Sequence, residues 1–324
     1  MTIKVAILGF GTVGQGVYQI LQNKQKQLTQ LTGESVQLCG VLVQNKAKER
    51  ILPDSVLITD QFDAILAQEP DVIFEAIVGE QPSFSYLTKA IDKRIHVITA
   101  NKVMFAKHGT HLLDKAANHV GIGYEATTAS GTPIISMITK LLQVNSVTKI
   151  EAILNGTSNF ILSSMQNEGK SLNTALTEAQ AQGFAEADPT NDIEGYDAFY
   201  KLMILSQLIY KRQPNWADVP CEGITNVTTE DLTSAKTSGQ KIRHIAAIEE
   251  KNGELYASIK PQALPPTHGL HSVDGVDNAI HLISDLAGPL TLRGPGAGKL
   301  STASAMVEDF VHILQSYPVK LLQY

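Results

Sequence analysis

The stretch "IKVAILGFGTVG", Ile3 to Gly14, decides the fold. Ile3 to Leu8 is a short apolar run of the kind that forms a buried strand. Behind it, Gly9, Gly11 and Gly14 fall in the pattern G-x-G-x-x-G, with Phe10, Thr12 and Val13 between them. Val17, Ile20, Leu21, Leu28 and Leu31 then recur at helical spacing. The glycine pattern alone says little, but a strand before it and an amphipathic helix after it are the context of a dinucleotide loop. Gly9 would make the tight turn, Gly11 would let a pyrophosphate approach the backbone, and Gly14 would let helix and strand pack closely. The helix start offers N–H groups and a positive dipole end to the phosphates.

Outward from this loop the first third of the chain alternates strand and helix. "VQLCGVLV", "DVIFEAIV", "HVITA" and "IGYEAT" read as further strands, and "FDAILAQ", "PSFSYLTKAIDK" and "THLLDKAANH" as helices. Such alternation predicts a parallel sheet covered on both faces, a Rossmann-type doubly wound α/β domain. The middle of the chain changes character. "SVTKIEAILNG", "LYASIKPQALP" and "AIHLISD" read as strands, and "TPIISMITKLLQ", "SLNTALTEAQAQ", "DAFYKLMILSQLIY" and "TTEDLTSAKTSGQKIRHIAAIEE" as helices. This is an α+β pattern. A Gly-rich turn, "RGPGAGK", then opens a last helix. The expected organisation is a dinucleotide-binding domain of residues 1–130 with 296–324, and a substrate-binding and dimerisation domain of residues 131–295.

The bulk properties exclude several classes. The 324 residues are long for a single core, the apolar fraction is 43%, and the net charge is −6. No Lys/Arg-rich block suggests a nucleic acid or an anionic membrane as partner. Cys39 and Cys221 form no framework. The N-terminus is too short and Gly-interrupted for a signal peptide, and no apolar run reaches bilayer length, so a cytoplasmic protein is expected. The pairs His108/His111 and His268/His271 lack a Cys or carboxylate at zinc-ligand spacing, so no zinc site is expected.

The second strand should end near Val43, where an NAD site often places an acid for the ribose 2′-hydroxyl. Gln44, Asn45 and Lys46 stand there instead. Lys46, Lys48 and Arg50 would face a 2′-phosphate, which tilts the expected cofactor from NAD toward NADP; a basic surface loop is the alternative.

"GFAEADPTNDIEGYDAFYK", Gly183 to Lys201, carries Glu186, Asp188, Asp192, Glu194 and Asp197 and ends on a lysine that enters an apolar helix. In a helix starting near Gly195, Asp197, Lys201, Ile204 and Leu208 share one stripe. Asp197 and Lys201 therefore lie on the apolar face, not opposite it as a surface i,i+4 pair would. A charge on a buried face is costly unless paired or used, so the pair reads as the wall of a cleft. A partly desolvated lysine beside a carboxylate can pass a proton near neutrality. Glu186, Asp188 and Asp192 would hold a cationic group such as a substrate ammonium; loop and N-cap chemistry is the alternative, with Asp192 or Glu194 favouring the helix start, and Asp188 reads as loop chemistry.

With these motifs in hand, the chain resembles homoserine dehydrogenase over nearly its whole length. "GFAEADPTNDIEGYDAFYKLMIL" is similar to the family's central motif, "GFGTVG" to its nucleotide loop, and "TANK" (Thr99 to Lys102) to the motif after its fourth or fifth strand. "EATTASGTPII" is similar to its hinge, "LNGTSNFIL" to its substrate-side motif, and "GPGAGKLSTASAMVEDF" to its closing segment. The resemblance implies NAD(P)-dependent interconversion of L-homoserine and L-aspartate 4-semialdehyde, on the route to threonine and methionine. It implies that Lys201 is the acid/base and that Lys102 polarises the carbonyl oxygen. Glu186, Asp192, Asp197, Gly156 and Thr157 would contact substrate, and Thr99, Asn101 and Lys102 would lie by the nicotinamide. A monovalent, sodium-like cation would be held by Glu125 and oxygens at Thr128, Ser130 and Thr132. A homodimer through the sheet of the middle domain is expected.

The sequence departs from the family in places. Ala129 and Ser130 precede Gly131 where the hinge usually carries a glycine pair. Glu80 stands where a second glycine is common, and Gln44 replaces an arginine. No ACT-type regulatory segment follows the closing helix before Tyr324, so threonine feedback through such a domain is not expected. A related oxidoreductase on another small amino-acid-derived semialdehyde or alcohol is the alternative. A cofactor-binding sensor without turnover ranks below it, because Lys201, Asp197, Glu186 and Lys102 are all present.

Overall fold

The computed structural model describes residues 2–117 and 119–317. Asn118, inside the helix predicted over Thr110–His119, and the chain end from residue 318 lie outside the described residues. The chain divides into two compact units: residues 1–131 with 298–324, and residues 132–297.

The first unit begins with β1 (Thr2–Leu8), α1 (Thr12–Asn23), α2 (Gln25–Thr32), β2 (Ser35–Leu42), β3 (Leu57–Thr59) and α3 (Phe62–Leu66). It continues with β4 (Val72–Glu75), α4 (Ser83–Asp92), β5 (His96–Thr99), α5 (Lys102–Ala116) and β6 (Ile122–Gly123). A closing helix, Lys299–Ser316, completes it. The sheet is wholly parallel, in the order β3-β2-β1-β4-β5-β6. Its central strands are buried on both faces, so they read as continuous apolar runs instead of alternating. Val5, Ile7, Phe74, Met306 and Phe310 are fully buried in this core. Phe310 of the closing helix meets Phe74 of β4 at a ring separation of 5.6 Å.

Three expectations change here. The helix pattern from Val17 to Leu31 is two helices, broken at Lys24. The strand predicted through Val78 stops at Glu75, and Val78 is exposed. The strand predicted over Ile122–Thr127 keeps only Ile122–Gly123, and Glu125–Thr127 forms a 3-10 turn. The edge strand β3 is too short for a periodic signal.

The second unit holds α6 (Ile134–Leu141), β7 (Val147–Ile153), α7 (Gly156–Glu168), α8 (Leu172–Ala181), α9 (Thr190–Ile193) and α10 (Tyr196–Tyr210). Then come α11 (Thr229–Thr237), β8 (Lys241–Lys251), β9 (Glu254–Leu264), β10 (Asp277–Ser284) and β11 (Gly288–Pro295). The sheet is antiparallel, in the order β11-β10-β7-β8-β9. Ala152 pairs with Ala246 and Ile280, and Ile150 with Ile248 and Leu282. These residues share the face covered by the helices and are buried. On the opposite face Ile153, Ile245 and Ala279 are covered by Leu270 and Val273, with Ala247 packed against them; Lys149 and Glu249 are half-buried and Ile283 is exposed.

The helix predicted over Thr228–Glu250 is corrected to a helix and a strand. α11 starts on a capping box between Thr228 and Asp231, and Gly239, at φ 71°, follows its end. From Lys241 the chain is strand β8. Ile242, Ile245 and Ile248 recur every third residue, which imitates a helix. The strand is buried on both faces along most of its length, so strict alternation is absent. Its partner β9 follows across Asn252-Gly253, both at positive φ (52° and 83°), the turn that suits a two-residue hairpin. The residues read as a Gly-rich turn from Arg293 are strand β11 as far as Pro295, an edge strand that tolerates its prolines.

Candidate active site

In the first unit, β1 pairs with β2 on one side and β4 on the other, so the strand order reverses there. Open α/β sheets bind ligands at that switch point, outside the strand carboxyl ends. The loop from Gly9 to Gly14 sits on it: Gly9 N donates to Leu42 O at 2.9 Å, and Ala76 N donates to Leu8 O at 2.8 Å. Gly9 has φ 87°, and a Cβ there would lie 2.6 Å from Ala76 O. A Cβ on Gly14 would lie 2.1 Å from Gly9 O. Gly11 is the contrast: nothing lies within 4 Å of where its Cβ would be. It is the N-cap of α1, and no side chain caps the helix. Uncapped helix N–H groups facing open space at a glycine fit a pyrophosphate. Phe10 and Val13 are half-buried, and Thr12 is exposed.

Lys46, expected at the ribose end, pairs with Asp60 at 3.1 Å. The "TANK" segment is built around Glu75, which is completely buried at the end of β4. Glu75 Oε1 accepts from Ile77 N at 2.7 Å and Ser83 Oγ at 2.9 Å, and Oε2 accepts from Thr99 Oγ1 at 2.5 Å. Thr99 Oγ1 in turn accepts from Asn101 N at 2.9 Å. Asn101 caps α5 by accepting from Met104 N at 3.1 Å, and its Nδ2 donates to Gly79 O at 2.6 Å. Lys102 follows as the first residue of α5 and is half-buried. Burial pushes the Glu75 carboxyl up, against the donors from Thr99, Ile77 and Ser83 that pull it down. Glu80 turns onto α5, where it meets Lys107 at 2.6 Å and His108 at 2.8 Å.

Glu125, Thr128 and Ser130 are buried in the first unit, and Thr132 is buried in the second. Ser130 has φ 52°, and its Oγ lies 2.9 Å from Ser301 Oγ and 2.8 Å from Thr302 Oγ1. Thr132 Oγ1 donates to Pro295 O at 3.3 Å. Asp309 Oδ2 accepts from Glu125 N at 2.9 Å. Burial pushes the Asp309 carboxyl up to about 7, and the Glu125 charge adds to this.

In the second unit, α10 begins after Gly195, at φ 88°. Asp197 and Lys201 are 3% and 7% exposed, on the buried side as the stripe required. Lys201 Nζ lies 2.8 Å from Asp197 Oδ2 and donates to Leu154 O at 2.7 Å. Asn155 Nδ2 donates to Asp192 Oδ1 at 2.7 Å and Asp197 Oδ2 at 2.9 Å. Gly156 opens α7, and a Cβ there would lie 2.5 Å from Val276 O. Thr157 Oγ1 donates to Phe184 O at 2.6 Å. Glu186 is exposed and stays outside this network. Asp188 accepts from Thr190 N and Oγ1 at 3.1 and 2.6 Å, which is loop chemistry.

The structure thus joins Lys201, Asp197 and Asp192, and joins Thr99 with Asn101. Sequence reading missed Glu75, Asp309, Asn155 and the Leu154 carbonyl. Two of these carried a signal: Glu75 is an acid inside an apolar run, and Asn155 stands as a helix N-cap before Gly-Thr-Ser. The buried lysine, held by a carboxylate and a carbonyl, can deliver a proton to an oxygen in a dry site. Among the described residues no group of three or more His, Cys, Asp or Glu could hold a metal ion, and no helix is long and apolar enough to cross a membrane.

Glu75→Gln sets an amide N–H₂ against donors that now face only oxygens. The expected cost is about 1.5–3 kcal/mol by denaturant unfolding, with weaker binding of reduced dinucleotide by fluorescence titration. Unchanged unfolding and binding would mean that Glu75 does not organise this loop.

Two family models match the chain: "Homoserine dehydrogenase, NAD binding domain" over residues 9–124, and "Homoserine dehydrogenase" over residues 133–311. A homoserine dehydrogenase of Bacillus subtilis (strain 168) is 38% identical over 317 residues, 97% of this chain and 73% of the relative. The crystal structure of a homoserine dehydrogenase from Thiobacillus denitrificans superposes with a TM-score of 0.92 at 35% identity, covering 98% of this chain and 75% of that one. A hyperthermophilic archaeal homoserine dehydrogenase, solved in complex with NADPH, superposes with a TM-score of 0.85 at 27% identity over 98% of this chain and 99% of that one. The glycine loop at the strand reversal and the buried lysine–carboxylate pair are thus features of a chain that belongs to the homoserine dehydrogenase family, NAD(P)-dependent oxidoreductases that interconvert L-homoserine and L-aspartate 4-semialdehyde.

Proposed function

We propose that Lys201 is the acid/base of this reaction and that Asp197 holds it charged and in place. The buried pair at 2.8 Å, on a helix face that would otherwise be apolar, carries this reading. When bound, a nicotinamide cofactor would supply the hydride to the aldehyde carbon. As that bond forms, the carbonyl electron pair moves onto oxygen. The Lys201 ammonium stabilises the developing charge and donates its proton there, which yields the alcohol of homoserine. In oxidation, neutral Lys201 takes the hydroxyl proton. Lys102 assists by polarising the carbonyl oxygen, and Thr99 and Asn101 shape the nicotinamide side. Asp192, Asp197 and Glu186 bind the substrate's polar groups, with Gly156 and Thr157 beside them.

The first unit acts as the dinucleotide-binding domain, through Gly9, Phe10, Gly11, Thr12, Val13 and Gly14. The second acts as the substrate-binding and dimerisation domain. NADP is the preferred cofactor, with Lys46 facing its 2′-phosphate in exchange for the Asp60 pair. The enzyme works in the cytoplasm. Glu125 holds a sodium-like cation, with oxygens at Thr128, Ser130 and Thr132 as further ligands. Support comes from buried Glu125 and half-buried Asp309 beside it, whose negative charge a cation would offset. The chain forms a homodimer by covering the open sheet face that carries Ile283 and Tyr256, which is 57% exposed.

Three measurements check these readings. Lys201→Ala should lower homoserine oxidation by about 10²–10⁴-fold and leave NADPH binding intact, with wild-type rates higher for NADP⁺ than for NAD⁺. Equal loss of turnover and cofactor binding would make Lys201 structural. Replacing choline chloride by sodium chloride at equal ionic strength should raise the melting temperature of wild type but not of Glu125→Gln; equal curves in both salts would remove the cation. In sedimentation, wild type should run as a dimer and Tyr256→Glu as a monomer. A wild-type monomer would reject the interface.

A further inference from the structure

Two buried amides surround the Lys201–Asp197 pair, and the reaction described above assigns chemistry to neither. Asn155 is 5% exposed and links β7 to α7. Its Oδ1 accepts from Ser158 N at 2.7 Å and caps α7. That bond fixes the facing of the amide, because a backbone N–H needs the oxygen side. The nitrogen side is therefore the one turned to the two carboxylates, Asp192 Oδ1 at 2.7 Å and Asp197 Oδ2 at 2.9 Å. Asp197 Oδ2 is also the oxygen that meets Lys201 Nζ. One amide thus ties a helix end to both acids.

Asn278 supports the lysine through the other acceptor. It is fully buried, and its Nδ2 donates at 3.0 Å to Leu154 O, the carbonyl that also accepts from Lys201 Nζ. A Cβ on residue 296 would lie 2.1 Å from Asn278 Oδ1, so Gly296 leaves the space that this amide fills.

We propose that Asn155 is a positioning residue for the reaction: it fixes Asp197 Oδ2 against Lys201 and holds Asp192 and Asp197 together as one anionic cradle for the substrate ammonium. Two like charges on neighbouring elements would otherwise separate, and a donor shared between them keeps them together. On β8, His244 is buried with Nε2 at 2.9 Å from Glu222 O, and burial holds it below the usual histidine range. On α6, Lys140 is exposed. The proposal rests on the reading of Lys201 as acid/base.

The test compares pH profiles of homoserine oxidation for wild type, Lys201→Ala, Asn155→Asp and Asn155→Ser. Asn155→Asp keeps the shape and the helix cap, since a carboxylate accepts from Ser158 N. It exchanges the shared donor for a third negative charge. That charge favours the ammonium, so the acidic limb of kcat/KM, where Lys201 must lose its proton, should move up by about one pH unit. The homoserine KM should rise by about tenfold or more, while NADPH affinity holds. Asn155→Ser also caps the helix but cannot span the two acids. It should raise KM with the limb in place, and it decides the matter if the aspartate variant does not fold. Wild-type KM and wild-type limb in both variants would reduce Asn155 to a helix cap and overturn the proposal. Turnover in Lys201→Ala is a separate failure, that of the acid/base reading itself.

Discussion

Lys201 and Asp197 place opposite charges one turn apart on a buried helix face, 7% and 3% exposed. Breaking a buried pair is costly, although forming it adds little net stability. The protein must therefore supply every polar partner around it. Leu154 gives its carbonyl just where β7 ends, and Asn155 turns the chain into α7 while reaching both acids. Asn278 comes from β10, the strand paired with β7, to hold that carbonyl. The order of strands in the second sheet is thus tied to the needs of one lysine.

The first unit solves a different problem with the same economy. Glu75 ends β4 beside the glycine loop and is surrounded by donors from the loop after its own strand and from the end of β5. A carboxylate that accepts several donors can stay buried, and it gives direction to the backbone that donates to it. Thr99 and Asn101 extend the arrangement to the start of α5 and so to Lys102. These bonds tie the end of β4, the end of β5 and the start of α5 to one another.

Much of this was legible in the residues. The parallel sheet followed from continuous apolar runs separated by helix patterns, and the dinucleotide loop followed from its context. The stripe through Asp197, Lys201, Ile204 and Leu208 places both charges on the buried face from spacing alone. Periodicity misleads where a strand is buried on both sides: Ile242, Ile245 and Ile248 imitate a helix, and the Asn252-Gly253 pair suits a helix end as well as a hairpin. The strand predicted at Glu125 failed for another reason, since a 3-10 turn of buried residues leaves no periodic trace.

The sequence by itself determined the local elements, the glycine turn and the side of α10 on which the charges lie. These depend on residue spacing and backbone sterics within a few positions. Only the tertiary structure decided which acceptors meet Lys201, that one amide serves both Asp192 and Asp197, that Glu186 stays outside their network, and that Asp309 sits against Glu125. Those contacts join residues from 37 to 184 positions apart, and a hydrogen bond within about 3 Å is settled by strand register and packing, which no local pattern encodes.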